Sequence, residues 1–300
     1  MSSVNFADRL LQAVDSKRSH VVLGLDPDFS LLPPAVTDKH AGLSYSTETE
    51  MVIACFREFL LTLLHALESE VVAVKIQAAY FEALGYAGYE LYQDLTRVGQ
   101  QLGYLVIADV KRGDIGSTAE AYAKAHLDVL GADAVTVNPW FGTDGLEPFF
   151  LRARENGKGV FVLVKTSNPS SSELQDLLLQ SGETVYQRVA DMVGNWGAGT
   201  EGERGYRSVG AVVGGTHPEQ AAELRRRMPG VPFLIPGYGA QGAQAGDLKG
   251  VFDAGGTGAV VNSARAILYA YRKREGTWVD AARTEAAAMR AALWEASGRG

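Results

Sequence analysis

Short apolar, β-branched runs recur from one end of the chain to the other. They are Val21–Asp26 (VVLGLD), Val71–Gln77 (VVAVKIQ), Tyr104–Lys111, Ala134–Pro139 (AVTVNP), Val160–Thr166 (VFVLVKT), Gly210–Gly214 (GAVVG), Phe233–Pro236 (FLIP) and Gly258–Asn262 (GAVVN). Most are too continuously apolar to leave one face in water, as expected of parallel strands covered on both sides. Helical spacing fills the gaps, for example in Cys55–Leu67, Leu91/Leu95/Val98/Leu102, Ala119–Leu130 and Pro218–Arg227. Strand followed by helix, eight times over, predicts an α/β fold of the closed (β/α)8 TIM-barrel type. An open doubly wound sheet is the alternative. Polar residues favour closure, because Asp26, Lys75, Asp109, Lys111, Asn138, Lys165 and Arg265 fall at the C-terminal ends of the runs. That end of a barrel carries the active site.

Length and composition narrow this further. Three hundred residues suit one such barrel, and no linker or composition shift divides the chain, so residues 1–300 are expected to form a single domain. Insertions are expected near residues 29–49 and 167–207, and Ser167–Ser172 reads as part of a mobile cover. Phe6, Leu10, Leu11 and Val14 share one helical face and do not resemble a signal peptide. No apolar run is long enough for a membrane span, and a net charge of −7 disfavours nucleic-acid and acidic-membrane partners. The single cysteine, Cys55, excludes an internal disulfide framework and fits a cytoplasmic setting. It lies on an apolar stripe with Phe59, Leu63 and Leu67, as a core residue would.

Candidate chemistry concentrates in Ala108–Gly116 (ADVKRGDIG). Alternation along a strand points Asp109 and Lys111 the same way, and Asp114 follows at the turn. Carboxylates brought this close raise each other's pKa unless a cation separates them, so folding alone gives no reason to build the cluster. Lys75 would reach solvent if it stood alone at a strand end. Beside Asp109 it can instead complete an alternating series Lys75–Asp109–Lys111–Asp114. Gly237-Tyr-Gly-Ala-Gln-Gly242 matches a dinucleotide fingerprint, but it comes after the seventh strand and lacks the acidic residue about 20 positions on. On a barrel, that loop and the one after the eighth strand form the usual phosphate site, and Arg265 follows the eighth strand. The histidines show no metal-ligand spacing, and no metal site is expected.

These residues resemble the orotidine 5′-monophosphate decarboxylase family in its longer bacterial form, the type 2 subfamily. The resemblance runs over the whole chain. It rests on ADVKRGDIGSTAEAY (Ala108–Tyr122), LDPD (Leu25–Asp28), VKIQAAYFE (Val74–Glu82), KTSNPSS (Lys165–Ser171), PGYGAQG (Pro236–Gly242) and VNSARAILYA (Val261–Ala270), in that family's order and spacing. It implies conversion of orotidine 5′-monophosphate to uridine 5′-monophosphate and carbon dioxide in pyrimidine biosynthesis, with no cofactor. Under it, Asp26 and Lys75 contact the ribose, Asp109 faces the substrate carboxylate and Lys111 donates the replacing proton. Asp114 and Thr118 reach into a partner's site in a homodimer. Ser167 reads the pyrimidine amide edge, Pro236 belongs to the substrate-binding set, and Gln241 and Arg265 hold the phosphate.

Two other readings compete. A magnesium-dependent phosphosugar decarboxylase or aldolase on the same barrel shares Asp-x-Lys-x-x-Asp, but places an acidic metal ligand where this chain has Lys75. A catalytically dead nucleotide-binding barrel has no need of so costly a charge cluster.

Overall fold

The computed structural model describes residues 4–239 and 242–300. Eight parallel strands close into a barrel in sequence order. They are β1 (Val21–Leu25), β2 (Ala73–Gln77), β3 (Leu105–Arg112), β4 (Ala134–Val137), β5 (Gly159–Lys165), β6 (Val209–Val213), β7 (Phe233–Ile235) and β8 (Ala259–Ser263). Pairing of β8 with β1 through Val21–Val261 and Leu23–Ser263 completes the ring and rules out the open sheet. The expected runs match these strands to within a residue or two. Helices cover the outside, among them Glu48–Ala66, Gly85–Gln101 and Pro218–Arg227.

Side-chain alternation splits the apolar residues between two cores. Residues such as Leu23, Leu25, Val74, Val106 and Val135 face the helices, in a large outer core that includes Cys55 and Phe59. Val22, Ala73, Leu105, Ile107, Ala134, Phe161, Val212, Leu234 and Val260 point inward instead. They meet Phe6, Leu10 and Val14 of the first helix, α1 (Phe6–Lys17), which lies across the N-terminal end of the barrel. The apolar face read from the sequence is therefore a floor. Phe6 sits edge-on to Phe161, with ring centroids 5.9 Å apart. The approach requires Gly159, where a Cβ would lie 2.5 Å from the Phe6 ring.

Polar contacts fasten this floor. Asn5 caps α1 through the N–H of Ala7, and Arg9 donates to Asp133 at 2.6 Å. Asp133 also accepts from the backbone N–H of Val106 at 2.9 Å. Part of the glycine-rich stretch near residue 200 docks here too. Asp8 accepts from the N–H groups of Glu203 and Arg204, and a Cβ on Gly202 would lie 2.3 Å from the Asp8 carboxylate.

The stretch after β1 contains a short 3-10 turn, Phe29–Leu31, and a helix, Pro34–Ala41. After β5, a turn at Pro169–Ser171 leads to Ser172–Gln175 and then to the helix Val185–Trp196. No helix among the described residues is long and apolar enough to cross a membrane.

Candidate active site

With α1 closing one end, the opposite end is where the barrel opens. A cavity of about 400 Å³ lies there, lined at one side by Asp26, Lys75, Gln77, Asp109 and Lys111 and at the other by Ser167, Pro236, Gly237 and Arg265.

The charged wall comes from β1, β2 and β3. Lys75 and Gln77 both face inward from β2, and Gln77 pairs in register with Asp109. Asp109 Oδ2 accepts from Lys75 Nζ at 2.5 Å and from Gln77 Nε2 at 3.0 Å. Its other oxygen, Oδ1, accepts from Lys111 Nζ at 2.5 Å and from the Thr136 hydroxyl at 2.9 Å. Lys75 Nζ also lies 3.9 Å from Asp26. One buried carboxylate is thus held between two ammonium groups, with four hydrogen bonds in all. Burial disfavours the charge on Asp109, but Lys75 and Lys111 outweigh it and hold the carboxyl well below its ordinary range. Burial likewise opposes the charge on Lys75, but the carboxylates of Asp109 and Asp26 outweigh it and its pKa is raised. Both groups stay ionised across the physiological range.

Simple alternation accounts for only part of this arrangement. Between Ala108–Val135 and Arg112–Val137 the β3–β4 register shifts, so four steps along β3 match two along β4. Lys111 sits in this bulge with φ 47°, a left-handed conformation costing a non-glycine residue about 1–3 kcal/mol. Strain of that kind persists only where the surroundings enforce it. Here it aims the Lys111 side chain, 46% exposed, into the open mouth while it remains bonded to buried Asp109.

Not every residue singled out in the sequence joins this cluster. Asp114 does not line the cavity, and its Oδ1 accepts from the neighbouring Ile115 N–H at 2.8 Å. Thr118 is exposed on the helix Gly116–Ala123. Lys165 is turned outward: the β5–β6 register shifts between Leu163 and Lys165, and its Nζ pairs with Asp176 at 2.7 Å. Ser167 lies on the cavity wall, next to Thr166, whose backbone and hydroxyl bond the Gln175 side chain at 3.0 and 2.8 Å.

At the far side, Gly237, Gly239 and Gly242 have φ of 100°, 71° and 100°, the conformation for which the glycine-rich loop selects glycine. Arg265 opens a four-residue helix after β8 and has no carboxylate partner among the described residues. Gln241 lies outside the described residues. Among the described residues, no group of three His, Cys, Asp or Glu side chains is placed to share a metal ion.

Three uncharged polar residues also stand on the cavity wall. Gln77 and Thr136 both bond Asp109, and Asn262 stands on β8 with a buried Oδ1 that has no hydrogen-bond partner among the described residues. Gln77 was findable, since it lies two residues beyond Lys75 and so on the same face. Thr136 and Asn262 carry no comparable signal.

Comparison with known proteins places this geometry. Residues 19–277 match the model of the orotidine 5′-phosphate decarboxylase / HUMPS family. The chain is 42% identical to an orotidine 5′-phosphate decarboxylase of Rhodopirellula baltica, covering 93% of this chain and 96% of that one. It is 39% identical to one of Clostridium perfringens, covering 97% and 98%. Among solved structures, the Leishmania donovani orotidine monophosphate decarboxylase superposes with a TM-score of 0.74 at 31% identity, covering 97% of this chain and 99% of that one. A Streptomyces avermitilis protein assigned the same activity gives 0.81 at 36%, covering 99% and 98%. A closed barrel with an Asp between two Lys at its mouth, matched over nearly its whole length, leaves one assignment: this chain belongs to the orotidine 5′-phosphate decarboxylase / HUMPS family.

Proposed function

We propose that this chain decarboxylates orotidine 5′-monophosphate to uridine 5′-monophosphate, as a carboxy-lyase of pyrimidine biosynthesis. The observation that carries the reading is the Asp109 carboxylate held at 2.5 Å from both Lys75 and Lys111, facing a cavity whose other side presents Arg265 and a glycine loop. A phosphate would take Arg265, Gln241 and backbone N–H groups, with Pro236 against the nucleotide. The ribose would meet Asp26 and Lys75, and Ser167 the pyrimidine amide edge.

Anchored in this way, the substrate carboxylate comes up against Asp109 and the reacting ring carbon against Lys111. The bond from that carbon to the carboxylate breaks, carbon dioxide leaves, and the electron pair stays on the ring carbon. The Lys111 ammonium stabilises the pair as it forms and then supplies the proton that replaces carbon dioxide. Catalysis of this kind is electrostatic preorganisation: the donor is charged, fixed and partly dry before the charge appears. The ammonium of Lys75 also repels a divalent cation at the second strand, which disfavours the magnesium-dependent reading.

The assembly follows from the same resemblance. A homodimer would bring Asp114 and Thr118 into the partner's cavity. Its support is an apolar surface beside Asp114: Ile115, Trp140 and Phe141 are 57%, 70% and 43% exposed. The test is one assay. Purified protein with orotidine 5′-monophosphate and a chelator should show the ultraviolet change of decarboxylation. No change, or a change the chelator abolishes, overturns the reading.

A further inference from the structure

In the bulge that strains Lys111, one side chain of the neighbouring strand bonds two successive backbone N–H groups. Thr136 lies on β4, 1% exposed, with its hydroxyl against β3. Its Oγ1 accepts from the backbone N–H groups of Val110 and Lys111, both at 3.0 Å, and stands 2.9 Å from Asp109 Oδ1. Successive N–H groups of an extended strand point to opposite sides. They converge on one acceptor only where the strand leaves the extended form, as it does in this bulge.

The count of bonding sites then fixes the direction of the third contact. A hydroxyl has two lone pairs and one proton. Both lone pairs are occupied by amide donors, so the proton points to Asp109, and the carboxylate is the acceptor. The oxygen it reaches is the one that Lys111 Nζ also contacts. One buried atom therefore fixes both the backbone turn beneath Lys111 and the rotation of the carboxylate that Lys111 grips.

The geometry points to Thr136 as a positioning residue: its hydroxyl clamps the β3 bulge so that the Lys111 ammonium and the Asp109 carboxylate are presented together to the substrate. The role rests on the decarboxylase reading for its catalytic consequence, though not for its structural one. Valine copies the shape of threonine without the hydroxyl. Thr136→Val leaves two amide donors with no acceptor and removes a donor from Asp109, while Thr136→Ser keeps all three bonds.

With orotidine 5′-monophosphate, kcat of Thr136→Val should fall about 10- to 100-fold, the cost of a small misplacement of a catalytic group. Affinity for the product nucleotide should be unchanged, and Thr136→Ser should recover most of the loss. A valine variant with the kcat of the unmodified chain, or a serine variant as slow as the valine one, overturns the proposal. If the valine variant does not fold, Thr136→Ala against Thr136→Ser reads the same difference. A crystal structure of the non-hydroxyl variant gives a readout independent of turnover. Lys111 should leave the left-handed conformation and its Nζ should part from Asp109; an unaltered bulge sinks the proposal. Should the unmodified chain fail to turn over the substrate, the decarboxylase reading falls, and that crystal structure still decides the clamp.

Discussion

Lys75 and His20 are both buried beside the barrel strands, Lys75 toward the mouth and His20 at the floor, just before β1. Their surroundings treat charge in opposite ways. Lys75 is met by the carboxylates of Asp109 and Asp26 and stays ionised. His20 has one backbone carbonyl, that of Ala259, 3.0 Å from Nδ1, and otherwise the rings of Phe252 and Trp294. Burial there pushes its pKa down to about 4, so it is neutral in the fold. At the floor, aromatic packing around His20 leaves its ring without a hydrogen-bonded counter-charge, while the ion pair Arg9–Asp133 fastens α1 at its edge. The mouth retains charge at the expense of desolvation, which packing alone would not select. At the mouth the ionised groups also line an open cavity, where a substrate can meet them.

The largest effect should come from the mouth. Lys111→Ala removes both the charge that stabilises the carbanion and the proton donor, and turnover should fall by at least about 10⁴-fold. Product binding should change little, since Lys111 is 46% exposed and takes no part in the phosphate cradle. Substantial residual turnover in a steady-state assay would remove Lys111 as the acid.

Asp109→Asn tests whether pairing is what makes buried charge tolerable there. It leaves Lys75 buried without its main counter-charge, and denaturant unfolding should show a loss of about 3–5 kcal/mol. Activity should go with it.

Phe6→Ala is the corresponding lesion of the floor, and its unfolding free energy should fall by a similar amount, about 3–5 kcal/mol. In that variant, kcat per folded molecule should be preserved. If kcat collapses, the two ends of the barrel are not independent.

The smallest effect is the response to pH, and it separates the two strategies. The pKa of Asp109 is lowered, so its contribution is present above the ordinary carboxylate value and lost only as pH falls through its depressed folded value. The pKa of Lys75 is raised, so its contribution is present below the ordinary lysine value and lost only as pH rises through its raised one. His20 is the reverse of Lys75. Its folded pKa of about 4 lies below the ordinary 6.5, so the unfolded chain binds its proton first and stability drains as pH falls between those values. The full shift is worth about 3 kcal/mol. His126, also lowered to about 4 by burial, adds a loss in the same window. Thermal midpoints measured from pH 6.5 to 4 should decline, and His20→Leu should flatten part of the slope. A decline unaffected by that change would place the acid lability elsewhere.

The barrel itself was largely legible from the chain. Continuous apolar runs of strand length, separated by helical spacing, leave few other arrangements, and the runs and the strands agree closely. The fourth helical pattern matches its helix, Pro218–Arg227, end to end. Another, Ala119–Leu130, falls on a helix that begins at Gly116 and loosens into a π-helical stretch over Lys124–Val129. Register shifts of this sort leave no mark on periodicity. The β5–β6 register shift, equally invisible to periodicity, explains why Lys165, polar and at a strand end like Lys75, turns outward to Asp176.

Sequence alone determined the order of the elements, the apolar strand runs and the presence of Lys75, Asp109 and Lys111 at the strand ends, because each is a matter of local spacing and side-chain type. It could not fix how a carboxylate on β3 meets a lysine on β2, a hydroxyl on β4 and a strained backbone between them. Those contacts join residues far apart in the chain, and their angles depend on a bulge that pays for its strain with hydrogen bonds from a neighbouring strand. Only the closed barrel brings the donors close enough to enforce it.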